Sequence, residues 1–409
     1  MKLTDSSQVL AATGNHDAAP VNSFPPNSIN TTISSQWVYD TLSSLWNQWI
    51  GSTSSAQADQ YGAYSYKLPN LNLKVISINT NLYYKENFWL YEATMEYDPD
   101  GQLAWLVSEL QAAETAGQRV FVIGHMPFGT NDSLHDGSNY LGQILDRYDA
   151  TIAALFFGES LPFFLRAWRG WFEVVSRRCH NTARAILARR PRCYNHSSSR
   201  VCTRADALRM IGHTHKDEFE IGYSNYAKQS FATANSMSYI APALTPTSGS
   251  PAFRVYSLDP VTFGVLDFTE YSTSLESSTY QSASGPVWAP YYSAKATYGP
   301  LVTPPMTTPS AELSPAFWHN VTAAFEANDT AFQAYVARKS RGWGVSSCTG
   351  DCKTDEICQL RAAEAQYNCA TVNPGIDFKR DEAEAKVKES ECHGSKVAEM
   401  LRKIAKRVA

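Results

Sequence analysis

Three glycine-flanked loops that carry histidine restrict this chain more than any other feature of it. "GNHD" (Gly14 to Asp17) follows the apolar "SQVLAAT", "GHMPFG" places His125 after "QRVFVI", and "GHTH" places His213 and His215 before "KDEFEI". Polar loops at the ends of short apolar runs belong to layered α/β cores, whose sites form at the carboxyl ends of the strands. The rest of the chain fits that class. "SSQWVYDTLSSLWNQWI" reads as a helix with Trp37, Leu42, Leu45, Trp46 and Trp49 on one face. "YGAYSYKL" and "LKVISINT" read as two strands with a turn between them, and "ATIAALFFG" as a buried strand. "DPDGQLAWLVSELQAAETAG" and "SNYLGQILDRY" read as helices, the first ending at Gly117. Further on, "DEFEIGYSN", "KQSFATAN", "AFRVYSLD" and "FGVLDFTEY" read as strands, and "SPAFWHNVTAAFEANDTAFQAYVARK" as helical.

A neutral imidazole and an amide oxygen both suit zinc or a similar divalent ion. A single histidine is more often a satisfied polar residue than a ligand. Four of them beside Asn15, in three such loops, make a metal site the better reading. His213 and His215 are two apart, so a tight loop can offer them to two adjacent metals. The formal net charge of -4 argues against nucleic acid as a general partner. With 44% hydrophobic and 18% charged residues, the chain can bury a large core.

Residues 159–211 break the pattern. They hold 11 arginines, no lysine, three acids (Glu159, Glu173, Asp206) and three cysteines (Cys179, Cys193, Cys202). Without them the chain reads "ATIAALFFG" into "GHTHKDEFEI", a strand delivering histidines to a loop. The composition favours a retained intron or gene-model error. A genuine basic insertion that contacts anionic lipid or nucleic acid and an ordinary surface loop are the alternatives. On the first reading the segment packs poorly on the remainder.

Cys348, Cys352, Cys358 and Cys369 crowd together, and Cys392 stands apart. No C-x-x-C and no histidine lies within the cluster, which favours disulfides in an oxidising compartment over a zinc knot. Asn30, Asn131, Asn195, Asn320 and Asn328 head glycosylation triplets. The N-terminus has no apolar leader and no run suits a membrane span. The charged tail, 381–409, reads as a solvated helix, with a membrane-surface helix as the alternative.

The three loops resemble those of the calcineurin-like metallophosphoesterases. With "GNHDAAPVNSFPP", "NTNLYYKENFWLY", "DPDGQLAWLVSEL", "GHMPFG", "GHTHKDEFEI" and "CTGDCKTDEICQLRAAEAQYNC" in that order, the chain is similar to the acid sphingomyelinase family, and to its fungal secreted members in particular. The resemblance implies a β-sandwich flanked by helices in 1–158 and 212–271, incomplete at its start. It also implies a 272–312 loop or linker and a small helical, disulfide-containing domain in 313–380. It implies a two-zinc phosphodiesterase, secreted or lysosomal/vacuolar, that cleaves sphingomyelin to ceramide and phosphocholine, with nucleotide-type phosphoesters as an alternative substrate.

Residue by residue, Asn15, His125 and His213 match ligands of one zinc, and His215 matches a ligand of the other. His16 matches the histidine that assists the leaving group, and Asp17 would hold it. Neighbouring disulfides Cys348–Cys352 and Cys358–Cys369 are implied in the same way. The family's Asp-x-His and Gly-Asp motifs are not found ahead of Gly14. The expectation is therefore at most one zinc and little turnover by the chain as written, with a catalytically inactive fragment or binding protein as the alternative. A monomer that meets a membrane surface only through its lipid substrate is expected. A sequenced transcript tests the segment: one lacking 159–211 is expected, and one retaining it throughout would overturn the intron reading.

Overall fold

The computed structural model describes residues 8–29, 31–91, 96–158, 163–168, 171–173, 213–246, 248–278, 280–282 and 285–369. In chain order the strands are β1 (Gln8–Leu10), β2 (Tyr64–Lys67), β3 (Leu73–Ser77), β4 (Arg119–Gly124), β5 (Ile152–Phe157), β6 (Phe163–Trp168), β7 (Trp171–Glu173), β8 (Glu218–Tyr223), β9 (Ala234–Ile240), β10 (Ala252–Leu258), β11 (Val265–Ser272) and β12 (Ala289–Ser293). The helices are α1 (Gln36–Tyr61), α2 (Gln102–Thr115), α3 (His135–Arg147), α4 (Ala294–Tyr298), α5 (Pro315–Ala327), α6 (Asp329–Lys339) and α7 (Asp351–Leu360).

A six-stranded mixed sheet in the order β2-β3-β4-β5-β9-β8 forms the centre. Its four inner strands run parallel and its two edge strands antiparallel. Side chains of a strand point alternately to the two faces, and β4 divides its apolar residues that way. Val120 and Val122 face α2 and α3 with Leu106, Leu110 and Leu141. Phe121 and Ile123 face the opposite core. There a second sheet, β10-β11-β12, packs against the first, with the Phe156 ring 5.2 Å from that of Tyr256. Two sheets packed face to face with helices outside is the mixed α/β sandwich expected.

Local chemistry sets the helix ends. The Leu103 and Ala104 N–H groups donate to the Asp98 carboxylate at the start of α2 (2.7 and 3.0 Å). The Ala331 N–H donates to Asn328 Oδ1, which opens α6 and splits the long helical stretch in two. The disulfides Cys348–Cys352 and Cys358–Cys369 both form, flanking and closing α7.

Several expectations need correction. In α1 the buried face is Val38, Tyr39, Trp46, Ile50 and Ala58, while Trp37 and Leu45 are 49% and 56% exposed. Apolar residues surround much of this helix, so periodicity alone could not choose its inner face. "KQSFATAN" is mostly turn, and the strand begins at its end as β9. The 272–312 stretch is not all loop, because it contains β12 and α4. Of the Arg-rich segment, β6 and β7 form a small sheet with β1, apart from the six-stranded sheet. The remainder of it, the tail beyond 369 (with Cys392), Asn30 and Asn195 lie outside the described residues. Among the described residues no helix is long and apolar enough to cross a membrane.

Trp318 on α5 joins the helical C-terminal part to the sheet. It is 1% exposed, lies 4.4 Å (ring centroids) from Phe219 and donates its indole N–H to Tyr239 Oη. Trp318→Ala should cost about 3–5 kcal/mol. Denaturant unfolding should show one lowered transition; a separate early transition of the helical part would contradict shared packing.

Candidate metal centre

The parallel pair β4 and β5 sets His125 and Gly158 side by side at its carboxyl end, where the "GNHD" loop arrives after β1 and the "GHTH" loop arrives just before β8. β4 ends at Gly124, and His125 follows it directly. The "GNHD" loop is a single 3-10 turn, Asn15–Asp17, closed by the Gly14 N–H donating to Asp17 Oδ2 (2.8 Å). Its approach is fixed from behind, since Thr13 Oγ1 donates to the Gly62 carbonyl and Asn81 Nδ2 to the Thr13 carbonyl.

At the centre His125 Nε2 lies 2.7 Å from Asn15 Oδ1 and 2.9 Å from His213 Nδ1. The surrounding contacts decide which of these atoms carries a proton. His125 Nδ1 is 2.6 Å from the Gly158 carbonyl, which can only accept, so the proton sits on Nδ1 and Nε2 keeps its lone pair. Asn15 Nδ2 donates to Asn22 Oδ1 (2.8 Å), which turns the amide oxygen inward. Asp132 Oδ2, 3.4 Å from His213 Nε2, favours a proton there and leaves the lone pair on Nδ1.

Two nitrogen lone pairs and one oxygen lone pair therefore converge in a buried place. Asn15, His125 and His213 are all at most 3% exposed. Such a cluster repels itself unless a cation lies within it. A proton on His125 is a poor substitute: burial, then the neighbouring His213, hold its pKa well below 6.5, with smaller contributions from His16 and His215. Two imidazoles and an amide oxygen suit a divalent ion of the zinc type. Among the described residues no three His, Cys, Asp or Glu side chains are placed to hold a metal, so Asn15 is needed as the third donor.

The remaining expected site residues lie around this cluster. His215 is buried, and its φ of 60° puts it in the left-handed region, at a cost of about 1–2 kcal/mol for a residue other than glycine. His16 is exposed at the lip of the turn, and Asp17 is half-buried beside it. Asn328 is exposed, and Asn131 and Asn320 are half-buried.

Sequence reasoning missed Asn22, Tyr84, Asp132, Gly158 and Arg341. Tyr84 sets its ring edge-on to His213 at 5.4 Å. Asp132 sits in a triplet read only as a glycosylation signal. In the fold its carboxylate pairs with Lys85, 3.0 Å away.

Comparison with known proteins bears on these loops. The chain is 31% identical over 363 residues to the sphingomyelin phosphodiesterase of Homo sapiens, covering 87% of this chain and 46% of that one. Sphingomyelin phosphodiesterase B of Dictyostelium discoideum is 27% identical over 371 residues, covering 89% and 47%. The acid sphingomyelinase-like phosphodiesterase 3b of Homo sapiens is 25% identical over 369 residues, covering 87% and 65%. No family model matches the chain. The chain spans about half the length of the first curated relatives it matches. Over most of its length the chain is therefore similar to proteins of the acid sphingomyelinase-like family.

Behind the "GHTH" loop lies a buried ionic cluster. Arg254 on β10 faces Glu270 on β11, pairs with the Asp217 carboxylate and lies over the Phe268 ring. Burial pushes the Glu270 carboxyl up to about 7, against the pull of Arg254 and Arg341. A raised folded value means that this group's contribution is full below about 4.5 and is lost as pH rises through about 7. Over that window the protein should lose up to about 3 kcal/mol from Glu270. Unfolding midpoints from pH 4.5 to 8 should therefore fall less steeply in Glu270→Gln; equal slopes would refute the assignment.

Proposed function

We propose that this chain is a metal-dependent phosphodiester hydrolase of the sphingomyelinase type, acting on sphingomyelin to give ceramide and phosphocholine. The observation that carries the reading is the convergence of the Asn15, His125 and His213 lone pairs in a buried pocket from which a proton is disfavoured. The names of the relatives supply the substrate class.

Asn15, His125 and His213 would hold one zinc, and His215 is the ligand offered to a second. When bound, the metal would polarise a phosphoryl oxygen and lower the pKa of a coordinated water. The chain's own residues do the positioning. Asn22 keeps the Asn15 oxygen turned inward, Gly158 fixes the His125 tautomer, and the Asp132 charge, 3.4 Å from His213 Nε2, favours a proton on that nitrogen. His16, exposed beside this cluster, would present a proton to the departing ceramide alkoxide. The Asp17 charge next to it would favour the protonated, donating imidazole. The two disulfides support an oxidising destination, so the protein is read as secreted or lysosomal/vacuolar and glycosylated. Its membrane contact would come through the lipid substrate.

The test combines zinc content with turnover of sphingomyelin and of a nucleotide phosphodiester. Zinc should bind, and sphingomyelin should be preferred. Turnover by the 409 residues alone should be small; in a chain that also carries the family's Asp-x-His and Gly-Asp motifs, His16→Ala should keep its zinc and lose about 10²–10⁴ in kcat. Preference for the nucleotide ester would move the substrate assignment. Zinc binding with no turnover of either ester would leave a binding protein, and a zinc-free chain would overturn the metal reading.

A further inference from the structure

The turn that carries His213 and His215 is held from outside the metallophosphoesterase-type core, at the end of α6. Arg341 is 7% exposed, and its guanidinium is surrounded by carbonyl groups. Nη1 donates to the His215 carbonyl (3.2 Å) and Nε to the Ser250 carbonyl (2.9 Å). Nη1 also donates to the Lys339 carbonyl. Two residues beyond His215, the Asp217 N–H donates to the same Lys339 carbonyl (3.0 Å). The backbone is thus gripped on both sides of Lys216 by one short stretch of the helical part.

This grip acts where the chain resists its own conformation. His215 adopts the left-handed φ that a side-chain-bearing residue avoids. Such a conformation persists only when the surroundings impose it. Were His215 to relax to an extended conformation, the turn would open and His213 Nδ1 would move from its place 2.9 Å from His125 Nε2. Arg is suited to the task, because its planar fork can hold carbonyls from separate segments at once.

We propose that Arg341 is a positioning residue of the metal site: by holding the His215 carbonyl it fixes the turn that presents His213 and His215 to the metal. The helical C-terminal part is then a component of the site and not an appendage to it. The inference rests on the proposed metal reading of the three loops.

The experiment uses the full 409-residue chain and zinc alone, with affinity measured by competition against a chromogenic chelator and melting measured on metal-free protein. Arg341→Met and Arg341→Lys are compared with Arg361→Met. Arg361 ties α7 to Glu326 and Thr322 in the same helical part without touching the loop. Arg341→Met should weaken zinc binding about tenfold or more, the size seen when partners that orient metal ligands are removed. Arg341→Lys, which keeps the charge and can hold one carbonyl, should fall between Arg341→Met and the unaltered chain. Arg361→Met should bind zinc as the unaltered chain does, even if it melts earlier. Unchanged affinity in Arg341→Met overturns the inference, as does an equal loss in Arg361→Met. If Arg341→Met does not fold, Arg341→Lys decides: unaltered affinity there overturns it too. An unaltered chain that binds no zinc overturns the metal reading itself.

Discussion

Everything at the candidate site depends on which nitrogen of His125 carries the proton. The Gly158 carbonyl, at the end of β5, takes the hydrogen of Nδ1 and so turns the Nε2 lone pair toward Asn15 and His213. A backbone carbonyl cannot donate, so Nδ1 carries the proton of the neutral ring for as long as this contact is kept. Burial then keeps the second proton away. The parallel order of β4 and β5 matters for the same reason, because it sets the Gly158 carbonyl beside the residue that follows β4.

The helical C-terminal part supports this arrangement at two loops. On one side it grips the His215 turn through Arg341 and Lys339. On the other, Asn368 Nδ2 donates to the Gly129 carbonyl (2.7 Å), in the loop that begins at His125. A Cβ at Gly129 would overlap the Ala362 carbonyl, so only glycine lets the two segments approach this closely. The Ala363 N–H donates to the Ile221 carbonyl on β8, and the Ala365 N–H to Ser138 Oγ. The Cys358–Cys369 disulfide closes the stretch from which these contacts come.

The errors in reading the elements share a cause. α1 carries Trp37, Leu45 and Trp49 on its flank as well as Val38 and Trp46 beneath, and the inner face was chosen by contact with Phe24, Ala18 and Tyr64. Small residues such as Ser43, Ser54 and Ala58 occupy much of that inner face and gave no hydrophobic signal. β9 is polar-looking because Ser236 and Ser238 interrupt its apolar residues. It is nonetheless a strand between β5 and β8, where both backbone edges are paired.

The sequence by itself singled out the candidate donors: Asn15, His125, His213 and His215 stand out because glycine and an apolar run are local signals of a strand ending in a tight loop. It also determined the layered α/β class, because alternation and helical periodicity are local as well. Only the tertiary structure decided which lone pairs meet. Asn22, Asp132, Gly158 and Arg341 act through distances set by the packing of distant segments, and no spacing along the chain encodes them. Arg341, remote in sequence from His215 and yet bonded to its carbonyl, is the clearest case: its role exists only once the helical part is folded onto the sheet.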